Sequence, residues 1–513
     1  MRLVKPTVSL LLVTVFVLMA SSLGFAYQRD VLRIGIPSLP NELDGQVTMG
    51  NEGQRVMFNI FEKLVHFDKE DPSIVTPQLA ESWVWLDDNT LEFTLRQGVL
   101  FHNGQPMTAH DIKYGMDRAM NPATGSGSFF AMLATIDSID VIDDYTLRIT
   151  TADPDPILLT RLASLWGSFA IPNGYIEEVG EEAYITKPVS TGPYMVESFE
   201  PDRIVLRAFE DYWGVKPNVQ ELVYIEIPEL AARMTALING EVDLISTIGP
   251  DQVGFLEGYD HIYVLSKPIA NMHILTFNIT QPPTDNKLLR QALALGIDRQ
   301  AIVDALFFGG TEVPRSYQFR EYGSMVNEDI PQNIYDPERA KQLVAESGYK
   351  GEVLYYDGVA NYYTGTNEAA EIIVEMWRQI GVNAQIRFSE KAWQNPDFNV
   401  HTWSNTMRFP DFSAQALQWG IGTTRQDGTE ITQTWPDSEL RRQYNELQVE
   451  LERELDPDRR YDIYQEMLAI WREEVPATEL WFAPESWAMR ADIVWNPYYA
   501  HIMDFGGHNL SFK

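Results

Sequence analysis

A short stretch of strict alternation marks the first clear element of the chain. Leu91, Phe93 and Leu95 alternate with polar neighbours over residues 91–96, which is the period of a strand that buries one of its faces. Turn-forming residues stand on both sides, at 87–89 and at 97–98, where Asp, Asn and Gly favour tight turns. The pattern predicts a β-strand within a hairpin.

The residues that follow this strand change to a helical period. Thr108 followed three residues later by Asp111 is typical of an N-cap with a capping box. Small and apolar residues then recur at helical spacing from 112 to 120. The helix is expected to end at Asn121, because the residue before a proline avoids the α conformation.

The same change of period continues along the rest of the chain. Strands are predicted at residues 31–36, 382–388 and 478–482. Helices are predicted at residues 53–65, 157–180, 228–239, 298–309, 336–348 and 366–380, and two more lie between 436 and 474. The apolar stripes of the last two are short, which favours helices that face a core over a coiled coil. This alternation of strands and helices predicts α/β units.

The N-terminal segment has the layout of an export signal. Arg2 and Lys5 are followed by an apolar run at 8–20 and by small residues up to Ala26, the order found in signal peptides. The run is shorter than the roughly 20 residues that span a membrane. We therefore interpret residues 1–26 as a signal peptide cleaved before Tyr27, and the mature chain as a soluble periplasmic protein.

Composition excludes several classes of function. The chain carries 73 acidic and 39 basic residues, a net charge of -34, and contains no cysteine. The electrostatic field of so large a negative charge repels nucleic acid and anionic membranes. The absence of cysteine excludes disulfides, thiolate metal sites, cysteine nucleophiles and a lipidated N-terminal cysteine. No nucleic-acid partner is expected.

Motifs for catalysis or for metal binding are missing. The eight histidines are scattered, without HExxH or metal-ligand spacing, and the chain has neither a GxSxG elbow nor a P-loop. The glycine-rich stretch at 124–128 lacks the lysine of a phosphate-binding loop. His102 is interpreted as a structural, hydrogen-bonding residue. The sequence predicts no catalytic residue, no metal and no cofactor.

Several ordered motifs resemble those of one family. The chain contains LAESW at 79–83 and LRQGVLFHNGQPMTAHD at 95–111, and then TGPY at 191–194, DYWG at 211–214, GEVD at 240–243, RQA at 290–292 and IDR at 297–299. Together they resemble the family 5 extracellular solute-binding proteins, which are receptors of ABC importers for peptides, nickel and oligosaccharides. The resemblance covers nearly all of the mature chain.

The resemblance implies an α/β, two-lobe periplasmic binding protein fold with discontinuous lobes and an additional subdomain on the first lobe. Lobe I would comprise residues 27–49, 186–267 and 478–513, the subdomain residues 50–185, and lobe II residues 268–477. The lobes would close on a small-molecule ligand by a hinge motion. A monomer that delivers this ligand to the permease subunits of a membrane ABC importer is expected.

The resemblance also points to a binding site. In this family a tryptophan-bearing strand leads into a loop that lines the cleft, and residues 400–420 fit that description. From the residues alone, a strand with core tryptophans is the stronger interpretation, and the resemblance reverses this preference. The predicted ligand-binding residues are Trp403, Asn405, Arg408, Asp411 and Trp419, with Ser38 in the loop after the first strand and Phe130 beside the glycine-rich stretch.

Arg408 departs from the family pattern. Peptide-binding members place an acid here for the α-amino group of the ligand, whereas an arginine offers a planar fork of donors to carboxylates, phosphates or sugar hydroxyls. Tryptophan faces suit sugar rings and apolar side chains alike. Oligopeptide, oligosaccharide and opine-like or other anionic ligands therefore stay open. A secreted hydrolase that uses the same cleft is the alternative function, and an exported chaperone-like protein is a third.

Overall fold

The structure is a computed structural model, and it describes residues 28–47, 50–121, 123–124, 132–164, 169–360, 362–392, 395, 397–414, 435 and 437–513. The described strands are β1 Arg29–Ile36, β2 Val65–Phe67, β3 Val75–Pro77, β4 Ala80–Trp85, β5 Thr90–Leu95, β6 Ile136–Asp143, β7 Thr146–Thr151, β8 Tyr194–Glu200, β9 Arg203–Ala208, β10 Val219–Glu226, β11 Leu244–Ser246, β12 Ile262–Phe277, β13 Leu354–Gly358, β14 Ala384–Phe388, β15 Val400–Thr406, β16 Ala477–Arg490, β17 Ile493–Trp495 and β18 Leu510–Phe512. The described helices are α1 Asn51–Met57, α2 Ala109–Met120, α3 Leu158–Ala163, α4 Tyr175–Val179, α5 Glu181–Thr186, α6 Leu230–Ile238, α7 Pro250–Leu256, α8 Lys287–Leu295, α9 Arg299–Phe307, α10 Pro337–Glu346, α11 Thr366–Gln379, α12 Glu439–Arg453 and α13 Pro457–Glu474, with a 3-10 helix at Arg320–Met325.

One ten-stranded sheet passes through the molecule, in the order β14-β13-β15-β12-β16-β11-β1-β10-β9-β8. β12 and β16 have 16 and 14 residues and are shared by two lobes. On the β16 side of this pair, the sheet continues into β11, β1, β10, β9 and β8, which form the sheet of lobe I. On the β12 side, it continues into β15, β13 and β14, which form the sheet of lobe II. The pairing of β12 with β16 is interrupted between Pro268 and Met272, where the sheet passes from one lobe to the other.

A second, four-stranded antiparallel sheet, in the order β4-β5-β7-β6, forms the additional subdomain with α2. The predictions for this region are confirmed. In β5, Leu91 and Phe93 are fully buried and Leu95 is 1% exposed. The predicted capping box before α2 is present, with the Thr108 N–H donating to Asp111 Oδ2 at 2.7 Å.

Most of the other predicted elements are present, with ends that differ by a few residues. The predicted strand at 478–482 extends to Arg490 as β16. The two helices α12 and α13 face the core, as predicted, since Tyr444 of α12 and Tyr464 of α13 are fully buried. The choice of core-facing helices over a coiled coil is therefore correct.

Two helix predictions were wrong. The predicted helix at 53–65 ends as α1 at Met57, although Ile60 and Leu64 are fully buried. Residues 58–64 lie between lobe I and the subdomain and bond to distant backbone, for example through the Gly192 N–H to Ile60 O at 3.0 Å. Tertiary contacts, and not a helical face, bury this apolar run.

The predicted helix at 157–180 is divided. The structure has the short helices α3 and α4 there, with Phe169 paired to Lys63 in an isolated β-bridge between them. Pro172 and Gly174 stand just before α4, and Gly174 has a positive φ of 74°. These two residues prevent a continuous helix.

Gly192, within the TGPY motif, lies against the backbone of residue 60. A Cβ added at this position would lie 2.5 Å from Ile60 O. Gly192→Ala is therefore expected to lower the free energy of unfolding by about 1–3 kcal/mol, the usual cost of overpacking, measured by urea denaturation. Gly254→Ala in α7 is the control, since an added Cβ meets nothing within 4 Å. An equal effect of both substitutions would contradict this packing argument.

His102 is buried in the subdomain and held in one tautomer. Its Nε2–H donates to Gly192 O at 3.0 Å, and its Nδ1 accepts from the Ser190 N–H at 3.3 Å. Burial lowers the pKa of His102 to about 4. The predicted structural role thus has a concrete geometry, in which the neutral ring joins residue 102 to the TGPY segment.

This lowered pKa predicts a pH dependence of stability. The unfolded chain binds a proton at His102 below about pH 6.5, whereas the folded chain does so only near pH 4. The free energy of unfolding therefore falls by up to roughly 3 kcal/mol as the pH falls through that window. His102→Gln, which keeps a donor toward Gly192, is expected to lose stability less steeply between pH 6.5 and 4. Urea titrations of both proteins at several pH values test this. Parallel curves would show that His102 does not contribute.

Candidate functional site

The parallel strands of lobe I end beside the hinge. β1 pairs in parallel with both β10 and β11, so the carboxyl ends of the three strands lie at one edge of the sheet. In α/β sheets ligands bind outside this edge. Ser38 follows the end of β1, and Thr247 follows the end of β11. Ser246 pairs with Trp487, only a few residues before the interruption in β12 and β16.

The parallel strands of lobe II end beside the hinge as well. β13 pairs in parallel with β14 and with β15, and Thr406 at the end of β15 pairs with Asn271. Met272, the next residue of β12, pairs with Phe482. The carboxyl edges of both lobes therefore flank the same short segment of β12, residues 269–271, where the pairing with β16 is interrupted. We call these residues the crossing segment. The topology places a cleft between the two edges.

Asn405 lies at the lobe II side of this cleft. It is 2% exposed on β15, and its Nδ2 donates to the hydroxyl of Tyr317 at 2.6 Å. Tyr317 stacks on Trp471 with ring centroids 4.5 Å apart. Asn405 Oδ1 is enclosed and has no hydrogen-bond partner among the described residues. The amide is held rigidly, with one acceptor left over.

Trp403 is half-buried two residues earlier on the same strand and packs against the large core that extends into lobe I. Together with His273, Tyr363 and Trp481 it lines a small cavity of about 20 Å³. The rings of His273 and Tyr363 lie 4.5 Å apart. Trp403 therefore belongs to an aromatic cluster and is partly a core residue, as the pattern of residues alone had indicated.

Arg408 and Asp411 have different environments. Arg408 is half-buried in the turn after β15 and its Nη1 is enclosed; burial lowers the pKa of its guanidinium, and interaction with Tyr317 opposes this shift. Asp411 is 7% exposed and accepts a hydrogen bond from Arg460 Nη2 at 2.6 Å. Its other oxygen accepts from the Ser413 N–H at 3.0 Å. The Asp411 carboxylate thus braces the loop.

Ser38 lies at the lobe I side of the cleft. Its hydroxyl donates to Glu52 Oε1 at 3.4 Å, and the next N–H, of Leu39, donates to Glu226 Oε2 at 2.9 Å. Phe130 and Trp419 lie outside the residues that the structure describes. The structure thus brings Trp403, Asn405 and Arg408 to one edge of the cleft and Ser38 to the other.

A sequence model of the bacterial extracellular solute-binding proteins, family 5 (middle region), matches residues 75–431, well over half of the chain. This chain belongs to that family. The resemblance of the motifs is therefore confirmed. Family 5 proteins are extracellular or periplasmic, which agrees with the predicted export.

The family 5 chain resembles curated and solved relatives. It is 28% identical over 354 residues to the dipeptide-binding protein of Escherichia coli K12, and the match covers 64% of this chain and 65% of that protein, just under two thirds of the relative's length. A Helicobacter pylori periplasmic binding protein in complex with the peptide STSA has a TM-score of 0.81 at 20% identity, covering 94% and 99% of the two chains. The agropinic acid complex of a binding protein from A. tumefaciens R10 has a TM-score of 0.81 at 22% identity, covering 94% and 99%. The two structures confirm the two-lobe fold.

A buried polar cluster at the lobe I edge was missed by the sequence analysis. Glu485, on β16, accepts from the N–H of Thr247 at 3.0 Å and from its hydroxyl at 3.1 Å. Arg55 Nη2 donates to the same hydroxyl at 3.1 Å, and His501 Nδ1 lies 3.5 Å from Glu485. Burial raises the pKa of Glu485 and lowers that of His501 well below its usual value. An acid within the apolar run of β16 was the available signal.

Among the described residues of this family 5 protein, no group of three or more His, Cys, Asp or Glu side chains could hold a metal ion. None of the described helices is long and apolar enough to cross a membrane. The cleft edges offer hydrogen-bonding groups, aromatic faces and the guanidinium of Arg408. This arrangement can bind a polar solute.

Proposed function

We propose that the protein is a periplasmic receptor that captures a small solute between its two lobes and delivers it to an ABC importer. The observation that carries this proposal is the convergence of the carboxyl edges of both lobes on one crossing segment. Family membership and relatives named for dipeptide, peptide and agropinic acid binding support it. No observation favours the hydrolase, and we infer a binding protein without turnover.

The ligand we propose is an oligopeptide, oligosaccharide or opine-like solute that has an acceptor group facing Arg408. Trp403 would supply an apolar face and Asn405 the free Oδ1 of its amide, with Ser38 on the opposite lobe. Phe130 and Trp419 stay predicted contacts. We do not propose Asp411 as a direct contact, because Arg460 and Ser413 engage its carboxylate.

Native mass spectrometry of the purified protein tests this function. A copurified solute of one molecule per chain is expected, and the solute should compact the protein in solution scattering because the lobes close. At about 100 times its Kd it should stabilise the fold by roughly 2.7 kcal/mol. Turnover of that solute without compaction would contradict a receptor and favour a hydrolase.

We further infer that export removes residues 1–26, so that the mature protein begins at Tyr27 and is a monomer that does not bind nucleic acid. Sequencing the N-terminus of protein released by osmotic shock tests this cleavage site.

We infer the lobe limits from the register of β12 with β16. Pairing is interrupted after Pro268, and Pro268 faces Pro484. We therefore propose that the first crossing lies near 267–268, that the return crossing lies between 478 and 484, and that residues 50–185 form the subdomain.

A further inference from the structure

A cavity of about 340 Å³ lies in lobe II beside the beginning of β16. Residues of α8, α10 and the end of α13 form its walls. Ala477 and Glu479 border it, and Ala477 pairs with Thr276 of β12, five residues away from the crossing segment. The cavity therefore lies away from the cleft. Its volume falls within the range of small-molecule sites.

The charge of this cavity is opposite to that of the protein. Arg299, Arg339 and Arg472 line it, with Glu479 as the one acid, in a chain that carries 73 acids and 39 bases. A local excess of positive charge attracts anions. The cavity thus differs in electrostatic character from the bulk of the chain.

These arginines differ in how far they are engaged: the Arg299 donors all have acceptors within the protein, whereas Arg472 is exposed. The Arg299 donors bond to backbone carbonyls and to the Thr478 hydroxyl, for example from Nη1 to Ile297 O at 3.1 Å and from Nη2 to Thr478 Oγ1 at 2.6 Å. Neither Arg299 nor the exposed Arg472 forms an ion pair with a carboxylate among the described residues. Arg339 pairs with Glu346 at 2.9 Å.

The single acid of the cavity is a buried carboxyl group that accepts a hydrogen bond from the cavity wall. Glu479 Oε1 accepts from Trp471 Nε1 at 2.7 Å. Burial raises the pKa of Glu479, although Arg299 and Arg472 oppose this shift. Burial therefore disfavours the ionised form that would repel an anion.

The rest of the wall is apolar. Leu295, Leu343, Trp471 and Val475 line the cavity between the charged groups. Apolar walls with a few convergent polar groups are typical of small-molecule sites. A suitable occupant has an apolar body together with an anionic group.

We propose that this cavity is a second binding site, separate from the cleft, for a small amphipathic carboxylate. The carboxylate pairs with Arg472, the buried Arg299 adds positive charge nearby, and the apolar body lies against Trp471 and Leu343. Trp471 also stacks on Tyr317, which holds Asn405 at the cleft. The stacked pair of Trp471 and Tyr317 therefore links the cavity to the cleft residue Asn405. The proposal does not depend on the identity of the cleft ligand.

Titration calorimetry of the mature chain with sodium 1-naphthoate and with the neutral 1-naphthamide tests the charge requirement. One naphthoate is expected to bind per chain, with a Kd at least about tenfold lower than that of the amide, because charge-assisted hydrogen bonds are lost with the carboxylate. Equal affinities, or no binding of naphthoate in the millimolar range, would overturn the proposal.

Substitutions locate the probe. Arg472→Gln, at an exposed side chain, is expected to weaken naphthoate binding at least about fivefold, and Ala294→Trp, which fills the cavity from α8, to abolish it. Arg442→Gln on α12 removes the same charge elsewhere and should leave the Kd unchanged. Arg408→Ala should leave it unchanged too. Loss of naphthoate binding in Arg408→Ala, or none in Arg472→Gln, would place the probe outside the cavity and refute the site.

Discussion

Replacing Arg460 by alanine is expected to lower the free energy of unfolding by about 3–5 kcal/mol, because it leaves the Asp411 carboxylate buried without its ionic partner. The two side chains are 7% and 9% exposed and lie 2.6 Å apart. Urea denaturation of the purified variant measures the loss. Since Asp411 also accepts from the Ser413 N–H, the loop from 409 to 414 should loosen in the same variant.

The matched control is Arg453→Ala at the surface of α12. Arg453 pairs with Asp153 at the same 2.6 Å, but both side chains are about half exposed, so the expected loss is at most about 1 kcal/mol. The double variant Arg460→Met with Asp411→Leu should recover much of the lost stability, because it removes both buried charges. Similar losses for Arg460→Ala and Arg453→Ala would show that burial does not decide the effect.

Arg408→Ala is expected to weaken binding of the copurified solute at least roughly 30-fold, since truncating one partner of a buried charged hydrogen bond costs about 2–5 kcal/mol. Arg408→Asp should weaken it further and favour ligands with a free ammonium group. Calorimetric titration with the solute identified by mass spectrometry gives both affinities. A melting temperature close to that of the unmodified protein would show that the lost affinity is not caused by loss of folding.

Arg442→Ala is the control for this experiment, because Arg442 is a surface arginine whose partners Asp437 and Glu439 are exposed too. It should leave affinity unchanged. An unchanged affinity in Arg408→Ala as well would remove Arg408 from the site and make peptide the leading ligand class. The loop that contains Asp411 is braced by Arg460, its ionic partner, so bracing this loop is not the role we assign to Arg408.

Local patterns in the sequence predicted the elements whose causes are local. The capping box at Thr108 depends on residues three apart, and the strand around Phe93 on alternation over six residues. Both are present in the structure. The proposal that Asn405 and Arg408 face the cleft rests on motif resemblance, since no local rule distinguishes a cleft strand from a core strand.

Contacts between distant parts of the chain could not be predicted in this way. Arg460 lies 49 residues after Asp411, and nothing near either residue signals the pair. Thr247 has a positive φ of 57°, and its N–H and hydroxyl donate to Glu485 on another strand. The failed helix at 53–65 has the same origin, because its apolar residues are buried by segments far away in sequence.

Ala270, in the crossing segment, forms one backbone hydrogen bond on each side, and these two bonds report on which side the contact opens. The Ala270 N–H donates to Tyr499 O of the C-terminal segment at 2.6 Å, and Ala270 O accepts from the Met407 N–H of lobe II at 2.7 Å. Ala270 thus contacts each neighbouring segment through one of its two backbone polar groups. Deuterium uptake at residue 270 reports opening on the first side, and uptake at residue 407 opening on the second. The ratio of the two protection factors shows which of the two hydrogen bonds opens more often, without any label or probe.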